Sequence, residues 1–373
     1  MPCLITSCIG RIPITEKSCV RSQRWLASPV TTRISSNSLA PTVTNISSLV
    51  GRPRCSAFDT FKVKAIGREE NKPRFPPQHQ ETQPGKEYLM HPLPQFSDPN
   101  YKPSAKLHGK VALVTGGDSG IGRAICYSFA KEGATIAFTY VKGDEDIDAN
   151  DTLTIIKEAK TSDSSDPIAI PADLRYNRNC QKVVDEVITK YGRIDVLINN
   201  IAVQYKTYSL EDITEDRLER IFRTNIFSYI FLTRHAVKYM KKGSSIINTT
   251  SALGYTGHPD FLDYGSTKGA IVSFTRGLSQ RLVNKGIRVN GVAPGPVWTP
   301  LEVSALDNED IVIFGSQVPM DRAAQPYEIA PSYVFLASSD STYFTGQVLH
   351  PDGIIIIYIH ESTCIFITAK LAP

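Results

Sequence analysis

The chain has 373 residues and a formal net charge of +4, a length that accommodates one large or two ordinary domains. Its charge is uneven, because residues 1–58 contain seven Lys or Arg and one acid, whereas the remainder contains 34 basic and 36 acidic residues. The nearly neutral remainder argues against a nucleic-acid-binding face, and no apolar run reaches membrane-spanning length. We therefore expect neither nucleic acid nor membrane as a partner.

Residues 1–58 have the composition of an organellar transit peptide. They are rich in Ser and Thr, contain scattered Arg and lack an apolar stretch long enough for a secretory signal. The Ser/Thr content and the Arg-Cys-Ser-Ala run at 54–57 favour a chloroplast over a mitochondrion. A disordered tail on a cytoplasmic protein is the alternative.

Cysteine spacing gives no sign of a metal site or a disulfide framework. Four of the seven cysteines lie within residues 1–58. Cys126, Cys180 and Cys364 remain, without metal-ligand or paired spacing. We expect no metal in this chain.

Residues 59–106 are a Pro-rich segment, with eight prolines between Pro73 and Pro103. Proline at this density prevents regular helices and strands. We interpret the segment as an extended arm whose apolar residues anchor it on the body or on a neighbouring subunit; a loose linker is the alternative. The candidate anchors are Phe75, Tyr88, Leu89 and Phe96.

From Lys110 onwards, apolar strand patterns alternate with helical patterns. Strands are predicted at 110–115, 135–140, 167–172, 196–199, 245–249, 288–292 and 347–350, and helices at 123–132, 152–160 and 180–191. Such alternation implies right-handed βαβ crossovers and a parallel sheet covered on both faces. The sequence therefore predicts one Rossmann-type, doubly wound α/β domain of about seven strands over residues 107–353.

A glycine-rich turn, Thr115-Gly-Gly-Asp-Ser-Gly-Ile-Gly122, lies between the first strand and the first helix. Glycine permits a tight turn and lets the backbone approach a pyrophosphate, which then meets the amides of the helix N-terminus. A glycine turn without a ligand is the alternative. The candidate cofactor-binding residues here are Gly116, Ser119, Gly120, Ile121 and Gly122.

The end of the second strand bears on the choice between NAD and NADP. Tyr140 occupies the place where an acid would hydrogen-bond the ribose 2′-hydroxyl of NAD. Without that acid nothing repels a 2′-phosphate, and Arg123 or Lys142 could attract one. NADP is therefore favoured, although Asp144 and Glu145 follow closely and keep NAD open.

Polar residues follow the third and fourth strands as well. Asp173, beside Leu174, is placed either to accept a hydrogen bond from the adenine amino group or to cap the following loop. Asn199 and Asn200 end the fourth strand, at the edge where open α/β sheets bind ligands. We expect one Asn to tie neighbouring strands together and the other, taken as Asn200, to border the cofactor.

Tyr264 and Lys268 are four residues apart and share one face of a predicted helix. A nearby ammonium favours phenolate and lowers a tyrosine pKa that is ordinarily about 10, which would permit proton exchange near neutral pH. Alone, this pattern is weak, and a surface helix pair is the alternative. Ser251 lies thirteen residues upstream and Asn225 lies further upstream in another predicted helix.

Together these motifs resemble the short-chain dehydrogenase/reductase family over about residues 107–353. The glycine turn, Asn199-Asn200, Asn225, Ser251, Tyr264-x3-Lys268 and Pro294-Gly295 occur in the order and spacing of that family. Phe75-Pro-Pro-Gln78, Thr82-Gln-Pro-Gly85 and Pro92-Leu-Pro-Gln95 resemble its branch of plant glucose and ribitol dehydrogenase homologues and bacterial NADP-dependent aldehyde reductases.

The resemblance implies an NAD(P)-dependent oxidoreductase that interconverts a carbonyl and an alcohol on a small aldehyde, ketone or sugar. Tyr264 would be its acid and base, with Lys268 lowering the phenol pKa and bonding the nicotinamide ribose. Ser251 would bond the substrate oxygen and Asn225 would hold a proton-relaying water. The nicotinamide carboxamide would be oriented by residues after the sixth strand: Pro294, Gly295, Val297 and Thr299.

The resemblance also implies a homo-oligomer, either a dimer or a tetramer. A cofactor-binding protein without catalysis and an inactive isoform with an altered C-terminus are the alternatives. The second arises because residues 354–373 continue past Pro351-Asp-Gly353 as a nearly uncharged stretch of high β-propensity, the signature of an aggregation-prone segment. We interpret that tail as read-through or an alternative transcript end; an extra strand pairing with a neighbour is the other interpretation.

The substrate side gives fewer signals. Residues 301–325, including Phe314, Val318, Met320 and Arg322, occupy the variable segment that closes over substrate in the family. We call this segment the lid, and it is either merely apolar or specific for the substrate. Tyr205, Tyr255 and His258 either line the pocket or only pack. After the fourth strand the family usually reads Asn-Asn-Ala-Gly or Asn-Asn-Ala-Ala, whereas Ile201 and Ala202 follow the two asparagines here. The bulk of Ile201 is expected beside the cofactor.

Overall fold

The computed structural model describes residues 73–353. The predicted transit peptide at 1–58, the first part of the Pro-rich arm and the tail at 354–373 lie outside the described residues. Within the described part, the α/β fold predicted from the sequence is confirmed.

The strands form one seven-stranded parallel sheet. They are β1 Val111–Thr115, β2 Thr135–Tyr140, β3 Ile168–Pro171, β4 Val196–Asn199, β5 Ser245–Thr249, β6 Arg288–Val292 and β7 Val348–Leu349. Their order is β3-β2-β1-β4-β5-β6-β7, so the direction of winding reverses between β1 and β4. Open α/β sheets bind ligands at such a reversal, outside the carboxyl ends of the strands.

Helices cover both faces of this sheet. They are α1 Gly120–Lys131, α2 Asp146–Ala159, α3 Asn177–Tyr191, α4 Glu215–Phe222, α5 Ser228–Ala236, α6 Leu253–Thr256, α7 Leu262–Leu282, α8 Pro300–Val303, α9 Asn308–Val312 and α10 Pro326–Ala337. A π-helical turn at Arg223–Phe227 joins α4 to α5. In the part of the chain that the structure describes, no helix combines the length and apolarity needed to cross a bilayer.

Alternate residues of β1 face opposite sides of the sheet and enter two separate cores. Ala112 and Val114 belong to the core under α1 and α10, whereas Leu113 belongs to the core under α3 and α5. All three are completely buried. Burying an aliphatic side chain contributes about 1.5–3 kcal/mol, so a strand buried on both faces is fixed in register.

The described part of the arm, residues 73–106, packs along the domain and contains a short 3-10 turn at Glu87–Leu89. The Phe75 ring stacks on Trp298, with centroids 3.8 Å apart, and Phe96 packs edge-on against Tyr127 at 5.3 Å. The other two candidate anchors are exposed, Tyr88 at 38% and Leu89 at 58%. Two aromatic rings therefore fasten the arm to the domain.

Candidate active site

A cleft of about 780 Å³ opens at the carboxyl ends of β1 to β6 and extends beneath α8. Its size is that of a small-molecule site. The predicted site residues that line it are Gly116, Ser119, Gly120, Ile121, Tyr140, Asp173, Leu174, Asn200, Ser251, Tyr264, Lys268, Pro294, Gly295, Val297 and Thr299. The predicted site residues Gly122 and Asn225 do not line the cleft.

The glycine turn has the backbone geometry that a dinucleotide requires. Gly116 and Gly120 adopt φ angles of +60° and +51°, which favour glycine. A Cβ on Gly122 would lie 1.7 Å from the Gly116 carbonyl oxygen, so Gly122 closes the turn. Ser119, in extended conformation, is the N-cap of α1. These residues fit a pyrophosphate at the helix N-terminus.

The arm contributes an acid to this turn that sequence reasoning missed. Glu87 is 2% exposed, and its Oε2 accepts a hydrogen bond from the Gly120 amide at 2.6 Å. Its Oε1 accepts from Arg123 Nη1 at 2.6 Å, and Arg123 also pairs with Asp148 at 3.2 Å. No local pattern marks a single acid in a Pro-rich segment, so this contact had no sequence signal.

The prediction that Arg123 attracts a 2′-phosphate is wrong. Arg123 is 6% exposed, lies outside the cleft lining and is paired with Glu87 and Asp148. Lys142 remains exposed just beyond β2. Arg123 directly follows the glycine turn, but it lies in α1 and its side chain faces away from the cleft.

Three acids line this end of the cleft: Asp118 of the glycine turn, and Asp144 and Glu145 beyond β2. Glu145 accepts a hydrogen bond from the Val141 amide at 2.6 Å. Burial and the neighbouring Asp118 carboxylate raise the pKa of Glu145 well above its ordinary value. Burial likewise raises the pKa of Asp118, to about 6. The raised pKa of Glu145 favours its protonated form, whereas Asp118, with a pKa of about 6, is still mostly ionised at neutral pH.

The paired asparagines have different contacts. Asn199 Nδ2 donates to Asn248 Oδ1 at 2.8 Å and thereby joins β4 to β5. Asn200 Nδ2 donates to the carbonyl oxygens of Thr115 and Gly116 at 3.2 and 3.3 Å. Asn199 therefore holds two strands together, while Asn200 holds the glycine turn and lines the cleft.

Asp173 is held within its own loop. Its carboxylate accepts hydrogen bonds from the Arg175 guanidinium, the shortest at 2.6 Å, and from the Arg175 amide at 3.1 Å. Leu174 between them is 3% exposed and lines the cleft. These contacts favour the loop-capping interpretation of Asp173, with adenine recognition left as a prediction.

Ser251, Tyr264 and Lys268 meet at the floor of the cleft. Their exposed fractions are 9%, 7% and 1%. A hydrogen bond links Ser251 to the Tyr264 phenol. Lys268 Nζ lies 5.3 Å from the centroid of the Tyr264 ring and donates to the Thr249 carbonyl at 3.1 Å.

The pKa of Tyr264 has the opposite direction to the one expected from its helical spacing. Burial raises it, the Glu302 carboxylate raises it further, and the hydrogen bond with Ser251 opposes both. Burial also lowers the pKa of Lys268 to about 7. Because Lys268 is desolvated and bonded to a carbonyl, its charge does not offset the burial of the phenol.

An ion pair that the sequence did not reveal fixes the start of α7, the helix that carries Tyr264 and Lys268. The Tyr264 amide donates to Asp263 Oδ1 at 2.8 Å, and Arg217 Nε donates to Asp263 Oδ2 at 2.8 Å. Arg217 also donates to the Tyr205 carbonyl at 2.9 Å and to Thr207 Oγ1 at 2.6 Å. Arg217 therefore binds the loop after β4 to the N-terminus of α7.

Asn225 is buried in the π-helical turn, away from the cleft lining. Its side chain accepts from the Val203 amide and donates to the Val203 carbonyl, both at 2.9 Å, and donates to Thr267 Oγ1 at 3.1 Å. Thr267 in turn donates to the Tyr264 carbonyl at 2.7 Å. Asn225 thus links the loop after β4 to α7, and a water relay at this residue stays a prediction.

The substrate side is only partly as expected. Phe314, Val318 and His258 line the cleft, as does Ile201. Met320, Arg322, Tyr205 and Tyr255 do not. Arg322 instead pairs with Glu328 at 2.6 Å. Lining residues outside the predicted site include Gln83, Pro84 and Gly85 of the arm, Gln204 after β4 and Glu302 of α8.

Comparison with known proteins agrees with this geometry. The family model described as Enoyl-(Acyl carrier protein) reductase matches residues 116–353. Glucose and ribitol dehydrogenase of Daucus carota is 66% identical over 284 residues, which are 76% of this chain and 98% of that protein. NADPH-dependent aldehyde reductase 1, chloroplastic, of Arabidopsis thaliana is 66% identical over 277 residues, which are 74% of this chain and 96% of that protein.

Solved structures agree as well. A short chain dehydrogenase from Burkholderia cenocepacia in complex with NADP superposes with a TM-score of 0.61 at 29% identity, over 66% of this chain and 98% of that chain. Within residues 73–353, no group of His, Cys, Asp or Glu side chains could hold a metal ion. The chain therefore belongs to the short-chain dehydrogenase/reductase family, as an oxidoreductase closely related to the plant glucose and ribitol dehydrogenases.

Proposed function

We propose that the chain is an NADP-preferring oxidoreductase that interconverts the carbonyl and alcohol forms of a small aldehyde, ketone or sugar, with Tyr264 as acid and base. The observation that carries this proposal is the meeting of Ser251, Tyr264 and buried Lys268 in one cleft with the glycine turn. A protein that only binds the cofactor would not require this set.

Each residue has a chemical task in the proposed reaction. A bound nicotinamide cofactor supplies or accepts the hydride. In reduction, Tyr264 donates its phenolic proton to the carbonyl oxygen, while Ser251 hydrogen-bonds the same oxygen as charge develops on it. The raised pKa of Tyr264 keeps this proton in place at neutral pH. The phenol is therefore protonated before the reaction, which is the form that donates a proton in carbonyl reduction.

Three observations support NADP over NAD. Tyr140 rather than an acid ends β2. Lys142 is exposed beside it. The relative from Arabidopsis thaliana is named an NADPH-dependent aldehyde reductase. Because β2 ends in Tyr140, no acid occupies the position that would repel a 2′-phosphate, and the exposed Lys142 two residues on is a basic residue that could attract one.

The test is a screen of aldehydes, ketones and sugars against the purified full chain, following NADPH oxidation by absorbance. The proposal predicts NADPH turnover with at least one small carbonyl, and weaker use of NADH. Tight NADPH binding without turnover on any member of the panel would favour the cofactor-binding alternative.

We also infer a chloroplast location and a homo-oligomeric state. The first is supported by the composition of residues 1–58 and by the chloroplastic relative. The second is supported by the family resemblance and by the apolar side chains Phe227 and Ile230, which are 37% and 40% exposed. Imaging a fluorescent protein fused to residues 1–58 tests the location, and light scattering on the purified chain tests the assembly.

A further inference from the structure

A carboxylate lies in the cleft on the side of the lid, without a basic partner. Glu302 is in the short helix α8 and lines the cleft. Its Oε2 accepts a hydrogen bond from Gln204 Nε2 at 2.9 Å. Among the described residues, no basic side chain lies within 4.0 Å of it. By contrast, the buried acids Glu87 and Asp263 are each paired with an arginine.

Placing an acid there is costly. Burial raises the pKa of Glu302 to about 7, against the effect of the hydrogen bond from Gln204. A desolvated carboxylate without a cation destabilises a fold unless other groups hydrogen-bond it. Titratable groups of this kind, placed in a cleft, are candidates for a functional role.

Gln204 is itself held in place from the arm. Gln83 Oε1 accepts from the Gln204 amide at 3.1 Å, and Gln83 Nε2 donates to the Gln204 carbonyl. The same Gln83 amide group donates to the Ser304 carbonyl at 3.3 Å, just beyond α8. Gln83 therefore fixes both the backbone that carries Gln204 and the end of the lid helix that carries Glu302.

The position of Glu302 relates it to the reacting group. Its charge is the second cause, after burial, that raises the pKa of Tyr264. Glu302 and Tyr264 line the same cleft, and Val303, next to Glu302, packs in one buried apolar cluster with Tyr264, Val203, Phe261, Leu306 and Phe314. Glu302 therefore lies beside an apolar wall at the end of the cleft where Tyr264 and Ser251 would receive the carbonyl. A polar pair in such a lining can recognise only a polar group of the substrate.

We propose that Glu302 and Gln204 form a subsite that hydrogen-bonds a hydroxyl group of the substrate next to the reacting carbonyl. The carboxylate accepts from the hydroxyl, and Gln204 holds the carboxylate in place. This inference rests on the proposed function and narrows its substrate class to hydroxylated aldehydes and sugars rather than alkyl aldehydes. Sites built to bond a hydroxyl discriminate strongly against analogues that lack it, because their polar groups are left unpaired.

The experiment compares glyceraldehyde with propanal, two three-carbon aldehydes that differ in their hydroxyl groups. In the full chain with NADPH, kcat/KM should favour glyceraldehyde. Glu302→Leu should lower the ratio of kcat/KM for glyceraldehyde to that for propanal by about tenfold or more, because an effect that passes through the pKa of Tyr264 acts on both aldehydes alike and cancels in the ratio. Glu302→Gln, which keeps one acceptor oxygen, should give an intermediate loss.

A matched control lies on the same lid. Asp307 is an acid outside the cleft lining, paired with Lys206 at 3.0 Å. Asp307→Asn should leave the ratio of kcat/KM for the two aldehydes unchanged. Thermal unfolding of each variant shows whether it folds. If Glu302→Leu does not fold, Gln204→Leu is measured in its place.

Binding supplies a readout that is independent of turnover. Saturation-transfer NMR on the full chain with NADP⁺ should show that glycerol binds more tightly than 1-propanol, and that Glu302→Leu removes this difference. Equal losses on both aldehydes, or no loss on either, would overturn the subsite. If the unaltered chain reduces neither aldehyde, the NMR comparison decides the subsite, whereas the proposed function fails only if no carbonyl of the whole panel is reduced.

Discussion

At one end of the cleft the chain relies on backbone geometry, and at the other it relies on side chains from segments far apart in sequence. The turn end, Gly116–Gly122, is shaped by positive φ angles and by the close approach of Gly122 to Gly116. The lid end combines Gln83, Gln204 and Glu302, from the arm, the loop after β4 and α8. Backbone geometry fixes how a common cofactor binds, whereas side chains can be exchanged to change the substrate.

Glu87 connects the arm to the turn end, as Gln83 connects it to the lid end. Only three residues separate them, so one short stretch of arm contacts both ends of the cleft. The comparison therefore predicts that changes to the turn affect cofactor affinity, that changes to the lid affect substrate choice, and that changes to the arm affect both.

The largest effect is expected at Gly122. Gly122→Ala places a methyl group 1.7 Å from the Gly116 carbonyl oxygen and must displace the turn. Overpacking of this kind costs about 1–3 kcal/mol, so we expect NADPH affinity, measured by fluorescence titration, to fall about 10- to 100-fold. Gly277→Ala is the control, because its Cβ meets no atom within 4 Å. Unchanged NADPH affinity in Gly122→Ala would remove the turn from the cofactor site.

The second-largest effect is expected at Glu87. Glu87→Ala leaves the Gly120 amide unbonded and Arg123 paired only with Asp148. Leaving buried groups unsatisfied costs about 1–3 kcal/mol, so we expect a lower melting temperature and a loss of NADPH affinity of about tenfold. Glu81→Ala, an exposed acid on the same arm, should change neither. Full NADPH affinity in Glu87→Ala would show that the arm does not support the turn.

Glu302 should make stability depend on pH. Its folded pKa of about 7 exceeds its ordinary 4.5, so the folded chain binds this proton more tightly and loses that stabilisation as pH rises towards 7. Glu302→Gln does not titrate. Its free energy of unfolding relative to the unaltered chain should therefore rise between pH 5 and 8, by on the order of 1–3 kcal/mol. Chemical denaturation measures this; a constant difference would mean that Glu302 is solvated.

The smallest effect is expected at Lys142, an exposed residue beyond β2. Lys142→Glu should lower the ratio of NADPH to NADH affinity by about fivefold, since exposed charge pairs contribute up to about 1 kcal/mol. Lys157→Glu makes the same charge change on the exposed side of α2 and should leave the ratio alone. An unaltered ratio in Lys142→Glu would assign 2′-phosphate recognition to another residue.

The two ends of the cleft also differ in how far the sequence predicts them. The bounds of β2, β4, β5 and β6 follow from short apolar runs, and the glycine turn and Tyr264-x3-Lys268 follow from local spacing. The contacts of Glu87 and Glu302 do not follow from local spacing. Glu87 hydrogen-bonds Gly120, 33 residues away in sequence, and Glu302 hydrogen-bonds Gln204, 98 residues away. The sequence also predicted a lowered pKa for Tyr264, whereas burial raises it, because helical spacing carries no information on burial.

The most direct test of the central claim is Tyr264→Phe in the full chain, with NADPH binding and single-turnover carbonyl reduction measured side by side. Removing the phenolic hydroxyl takes away the proton donor while the ring still fills its buried place. We expect nearly unchanged NADPH affinity and a reduction rate lower by about 100-fold or more. Reduction at close to the unaltered rate would contradict Tyr264 as the acid and base of this site.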